Sequence, residues 1–187
     1  MADINLIEKL SNVSGISGNE EEVLDILKNE INGYVDSCEI DALYNLIALK
    51  NFSSKEPKVM LNAHMDEVGL SVRSITPEGY LKFFKVGGID DRVLLGKRVV
   101  VGKDKVKGII SIKPIHLQTK SDETTIPEAK DLVIDLGLKT KDEAEKLVKI
   151  GDPIVFDTKF EQISHNCYIG KALDDRLGCA IIAETLK

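Results

Sequence analysis

Apolar positions near the start of the chain recur with helical spacing. Leu6 and Leu10 share one face, Val23, Leu27 and Ile31 share the next, and Ser14-Gly15-Ile16-Ser17-Gly18 interrupts the run of residues 3–31. Two amphipathic helices joined by a loop are therefore predicted. Ser17-Gly18-Asn19-Glu20 has the spacing of a capping box for the second helix, with Glu20, Glu21 and Glu22 as a solvated acidic start facing its positive end. Strand-like runs follow at residues 34–38, 45–50 and 58–63, which gives the first third α/β grammar. Within the last of these, Val59-Met60-Leu61 reads as a short buried strand delivering polar residues beyond its carboxyl end, where open α/β sheets place their ligands.

From Val68 the period changes to two. Val68, Leu70 and Val72 alternate, Thr76-Pro77-Glu78-Gly79 is a turn, residues 80–86 return, and residues 98–101 and 106–112 flank Gly102-Lys103-Asp104-Lys105. Residues 118–125 are polar and predict a loop. Thr140-Lys141-Asp142-Glu143 is a second capping box, for a helix to about residue 149, and Ile154-Val155-Phe156 a further strand. Residues 177–186 form a final apolar, helix-like run.

With 187 residues, 43% of them hydrophobic, the chain can bury a real core. A net charge of -6 without a Lys/Arg cluster excludes a nucleic-acid or anionic-membrane surface. There is no basic segment leading into an apolar stretch at the N-terminus and no run long enough to span a bilayer, so a cytoplasmic protein is expected. Cys38, Cys167 and Cys179 lack Cys-x-x-Cys spacing and suggest neither a disulfide framework nor a thiolate zinc site, and Cys179 reads as a small core residue. His116 and His165 have no evident chemistry.

Chemistry concentrates in two motifs, Ala63-His64-Met65-Asp66-Glu67 and Ala172-Leu173-Asp174-Asp175-Arg176-Leu177-Gly178. A histidine binds a divalent cation well when a partner fixes its other ring nitrogen, and Asp66, two residues on along an extended chain, is placed to do so. Asp174 and Asp175 are adjacent carboxylates, which calls for a cation, for pairing with Arg176, or for solvation.

Between these motifs lie Gly79-Tyr80-Leu81-Lys82-Phe83-Phe84-Lys85-Val86-Gly87-Gly88, Lys113-Pro114-Ile115-His116, Val133-Ile134-Asp135-Leu136-Gly137 and Ile150-Gly151-Asp152-Pro153. With them, residues 4–187 resemble, in one collinear order, the tetrahedral aminopeptidases, dinuclear metallo-aminopeptidases that include glutamyl and deblocking enzymes. The resemblance implies an α/β protein: a mixed-sheet, phosphorylase/hydrolase-like catalytic domain, incomplete here, interrupted by a small β-barrel or PDZ-like dimerisation domain. Its expected boundaries are 1–67 and 164–187 for the catalytic parts and 68–163 for the insert. By the same resemblance His64 is a ligand of one metal, Asp174 the bridging ligand, and Asp66 the catalytic carboxylate that orients His64. Two divalent ions, zinc or cobalt, would cleave N-terminal residues from peptide substrates, and the insert would pair the chain with copies of itself. Neither nucleic acid nor membrane is a partner. Tyr44 departs from the family, which usually has a glycine there, so the local turn is expected to differ.

The family pattern continues with a Glu-Glu pair, general base and ligand, and with a further acidic ligand and a histidine. After Asp175 this chain offers only Glu184 before ending at Lys187, so it contains no general base and is expected to be inactive alone, with residues 177–186 exposing an apolar face. Two other readings stand beside this one: a non-catalytic, truncated assembly module, and a glycoside hydrolase, since some relatives carry endoglucanase names. The latter is disfavoured by histidine-carboxylate spacing and by 5% aromatic content for sugar stacking.

Overall fold

The computed structural model describes residues 3–51, 53, 55, 57–112 and 126–187. The Lys113-Pro114-Ile115-His116 motif and the loop expected at residues 118–125 lie outside them. Packing divides the chain into two compact units, Met1–Glu67 with Lys159–Lys187, and Val68–Thr158.

In the first unit, helices α1 (Ile4–Asn12) and α2 (Glu21–Ile31) pack against α4 (Leu173–Leu186), near the end of the chain. Asp3 caps α1 by accepting from the Asn5 amide at 2.9 Å. Leu6, Ile7, Leu10, Val23, Leu27 and Ile31 bury one stripe of each early helix against Cys179, Ala180 and Ala183, whose small side chains let the helices approach closely. The opposite side of α4 leaves Leu177 and Ile181 41% and 50% exposed, as its apolar sequence implied.

The expected mixed sheet is absent among the described residues of this unit. Instead there are two hairpins, β1 (Ser37–Ile40) with β2 (Leu46–Leu49), and β9 (Glu161–Ser164) with β10 (Cys167–Ile169). The first strand starts three residues later than the expected 34, because the chain turns out of α2 through a bend before it pairs. Residues 58–63 form no strand, and Val59 and Met60 are 83% and 86% exposed, contrary to the buried strand expected. An apolar run is buried as a strand only where neighbours cover it, and neither hairpin pairs with this one. Tyr44 sits at φ 64°, in the left-handed region a glycine would favour, and Asp41 closes the turn by accepting from the amides of Leu43 and Asn45.

The second unit is a closed antiparallel barrel of β3 (Gly69–Ile75), β4 (Leu81–Val86), β7 (Val133–Asp135), β6 (Val106–Ser111), β5 (Arg98–Val101) and β8 (Pro153–Phe156), in that spatial order. Leu70, Val72, Leu81, Val101, Ile134 and Ile154 fill it and are essentially inaccessible. Alternation slips once in β3, where the register shifts between Val72 and Ser74, so Ile75 turns inward in place of Ser74. β7 was not legible as a strand: it has three residues and is recognisable only by its pairing with β4 and β6. Thr140 caps α3 (Lys141–Glu145), accepting from the Glu143 amide, but the helix is shorter than its capping box suggested. The barrel unit ends at Thr158 and not at 163, since β9 belongs to the first unit.

Candidate metal centre

His64 and Asp174, 110 positions apart, meet. Nε2 of His64 lies 3.1 Å from Asp174 Oδ1, and Nδ1 lies 3.1 Å from Asp66 Oδ1 and 3.3 Å from the Asp66 carbonyl. The side chains of His64 and Asp174 are 56% and 95% exposed, open to a ligand from solvent. Desolvation pulls the His64 pKa down, but hydrogen bonding to Asp174 and the charge of Asp66 prevail and hold it above its ordinary value.

Among the described residues no strand leads into His64, so the two residues do not converge at a sheet edge. α4 joins them. At its start Ala172 is left-handed (φ 55°), the Asp174–Asp175 peptide is cis, and neither Asp174 nor Asp175 has helical dihedral angles; Asp175 Oδ1 accepts from the Gly178 amide at 3.1 Å as a cap. The same helix then grips the His64 segment. The Cys179 thiol donates to the His64 carbonyl at 3.3 Å, and Arg176 Nε donates to the Met65 carbonyl at 3.0 Å.

Arg176 does not pair with Asp174 or Asp175. It is 1% exposed, and its remaining donors serve the carbonyls of Leu10, Val13 and Gly15 and, at 3.1 Å, Glu67 Oε1. With the bond to Met65, all five guanidinium N–H groups are accepted. Lys171 Nζ is 2.7 Å from the same Glu67 oxygen and also donates to the Val13 carbonyl. Burial pushes the pKa of both cations down, and Glu67 opposes it. Gly15 is required here, since a Cβ on it would lie 2.7 Å from Arg176 Nη2. Nothing in the sequence points to Glu67, Lys171 or this use of Arg176 beyond their position inside or beside the two motifs.

Ser17 does not cap α2 as its spacing predicts. α2 begins after Glu20, which makes no side-chain cap, and the Ser17 hydroxyl donates to Asp66 Oδ2. His165 is exposed, its Nε2 3.4 Å from the Asn166 side-chain amide, and His116 is outside the described residues.

An imidazole with one nitrogen held by a carboxylate and the other facing a second carboxylate is a donor set suited to a borderline-soft divalent ion. Two ligands with ~2.0 Å bonds to a tetrahedral ion lie ~3.3 Å apart, close to the observed separation of Nε2 and Oδ1. The fit is partial. Among the described residues no group of three His, Cys, Asp or Glu side chains converges as a metal cage.

Cys179 gives a chemical check on this packing. Burial, with the charge of Asp175 adding to it, pushes its thiol up to about 11, while Cys167 is exposed. At pH 8 only about a thousandth of a thiol with that pKa is ionised. A disulfide reagent should modify Cys167 promptly and Cys179 at least a hundredfold more slowly, until denaturant is added. Peptide mapping of the labelled sites measures this, and equal rates in the native state would contradict the packing of α4.

The chain matches the M42 glutamyl aminopeptidase family over residues 44–187. It is 36% identical to a putative aminopeptidase of Acetivibrio thermocellus, an alignment covering 98% of this chain and 53% of that protein. Its fold is similar to that of a TET aminopeptidase from a marine-sediment archaeon of the Thaumarchaeota, with a TM-score of 0.92 at 39% identity, over 98% of this chain and 52% of the other. It is also similar to the TET1 peptidase of Pyrococcus horikoshii, described as assembling into a tetrahedron or a large octahedral shell, with a TM-score of 0.86 at 39% identity over 98% and 55% of the two chains. The chain thus spans about half the length of these relatives. With the match extending through the Asp174 motif and the fold retained across both units, the chain belongs to the M42 glutamyl aminopeptidase family.

Proposed function

We propose that this chain contributes His64 and Asp174 to the metal centre of an aminopeptidase that removes N-terminal residues from peptides. The observation carrying this reading is the approach of His64 Nε2 to Asp174 Oδ1, with Asp66 on the opposite ring nitrogen. His64 and Asp174 would hold the ion, Asp174 being exposed enough to be shared between two. A bound zinc or cobalt ion would supply Lewis acidity toward the scissile carbonyl. Asp66 keeps the imidazole turned toward the ion and fixes its tautomer, while Arg176 and Cys179 hold the backbone that carries it.

Calorimetric titration of the chain with zinc tests the reading. Weak binding is expected, lost in His64→Ala and in Asp174→Asn, and weakened about ten- to hundredfold in Asp66→Asn, the usual effect of removing an orienting partner. Equal affinity in all four proteins would reject the assignment. A hybrid in which this chain replaces the matched part of the Acetivibrio thermocellus relative should hydrolyse an aminoacyl-anilide, and lose that activity with His64→Ala.

The barrel is proposed to mediate self-association, as the assembly described for the Pyrococcus horikoshii peptidase suggests. It has its own closed core, yet leaves Phe84, Val93, Leu95 and Ile109 about half exposed. Residues 68–158 expressed alone should fold and sediment as a dimer or larger species. A monomer at high concentration would count against this role.

A further inference from the structure

We propose that Ser17 is a positioning residue for His64, acting through Asp66. The proposal rests on the metal-centre reading only for its consequence in metal affinity. One carboxylate links the two residues: Asp66 Oδ2 accepts from the Ser17 hydroxyl, while Asp66 Oδ1 lies 3.1 Å from His64 Nδ1. With both oxygens engaged, the carboxylate cannot rotate about its bond to Cβ without losing a partner. A neutral imidazole has one N–H for two carboxylates, and Asp66, held by Ser17, competes for it at Nδ1 against Asp174, which lies 3.1 Å from Nε2 and is 95% exposed to water; the Nδ1–H tautomer is thereby favoured and Nε2 left to take a metal ion.

The hydroxyl is placed by rigid surroundings. Ile16, next to it, is 2% exposed and forms a parallel bridge with Glu67. The Gly15 carbonyl accepts from the Glu67 amide at 2.8 Å and from Arg176 Nη2 at 3.2 Å. The loop between α1 and α2 is therefore docked along residues 65–67, and Ser17 is the first residue past that contact to reach the carboxylate. The ordinary alternative, a helix cap, is excluded by geometry: α2 starts after Glu20, and the Gly18 amide is taken by Glu20 Oε1 at 2.8 Å. Ser17 itself is exposed, so its hydroxyl is not there to satisfy a buried partner.

The test uses the whole chain with Ser17→Ala and Ser17→Thr. Long-range proton–nitrogen NMR at a fixed pH where His64 is neutral reads its tautomer directly. Wild type and Ser17→Thr should show the Nδ1–H form, and Ser17→Ala a mixture of the two tautomers, with a melting temperature within about 2 °C of wild type. Zinc affinity should fall about three- to tenfold in Ser17→Ala and be retained in Ser17→Thr, somewhat less than is usual for losing the direct partner of a ligand. A tautomer shift in a chain that binds no zinc would keep Ser17 as a positioning residue and remove the metal reading instead. An unchanged tautomer in Ser17→Ala would overturn the proposal, as would a shift of equal size in Ser17→Thr.

Discussion

Arg176→Ala is expected to unfold the helical unit while leaving the barrel intact. The guanidinium is buried and makes five hydrogen bonds, to the carbonyls of Leu10, Val13, Gly15 and Met65 and to Glu67. Truncation strands Glu67 with Lys171 as its remaining buried partner and leaves several carbonyls facing a cavity. Removing one member of a buried ion pair typically costs about 3–5 kcal/mol, and each unsatisfied buried polar group about 1–3 kcal/mol more. Against a total stability of about 5–15 kcal/mol for a domain, such a loss is decisive. Arg176→Lys keeps a charge but offers three donors from a single point and should recover only part of the stability. Circular dichroism should therefore show loss of the α1, α2 and α4 signal with the β signal of Val68–Thr158 retained. A melting temperature lowered by only a few degrees would mean that the Arg176 bonds are not cooperative with the packing of these helices.

What could be read in the sequence follows from which interactions leave a period. The two opening helices are legible because each buries one stripe, and the barrel strands because alternation and turn residues coincide, as at Thr76–Gly79, where the Gly79 amide bonds the Thr76 carbonyl at 3.0 Å. Val59-Met60-Leu61 shows the limit. An apolar triplet specifies a strand only together with neighbours, and periodicity says nothing about whether neighbours are there. At the centre, motif spacing and resemblance single out His64, Asp66 and Asp174, and their side chains lie together in the structure. Their supports were not identified. Ser17 fits the pattern of a capping box and Arg176 the pattern of a partner for Asp174 and Asp175, because hydroxyl and guanidinium groups serve several acceptors equally well and only three-dimensional proximity selects one. Burial of Glu67, Lys171 and Arg176 together leaves no sequence signal, since each alone is a residue type that ordinarily stays in water.

The 187-residue chain, supplied with zinc or cobalt, should hydrolyse leucyl- or glutamyl-anilides no faster than its His64→Ala variant. Asp174 faces His64 as a proposed ligand, Asp66 is engaged by His64 and Ser17, Asp175 caps the Gly178 amide, and Glu67 is buried under Lys171 and Arg176. Glu20 accepts from the Gly18 amide at the start of α2. None of these carboxylates is both free and able to take a proton from an attacking water, and a positioned base is worth about 10²–10⁴ in rate. Two donors, moreover, fall short of the three protein ligands that a catalytic zinc ion ordinarily has, so metal occupancy at micromolar concentrations should be low. The hybrid with the Acetivibrio thermocellus relative should exceed the chain alone by about a thousandfold, within the range that a positioned base is worth. Turnover by the chain alone that disappears both with chelator and with His64→Ala would overturn this expectation and place a base among the carboxylates assigned here to other partners.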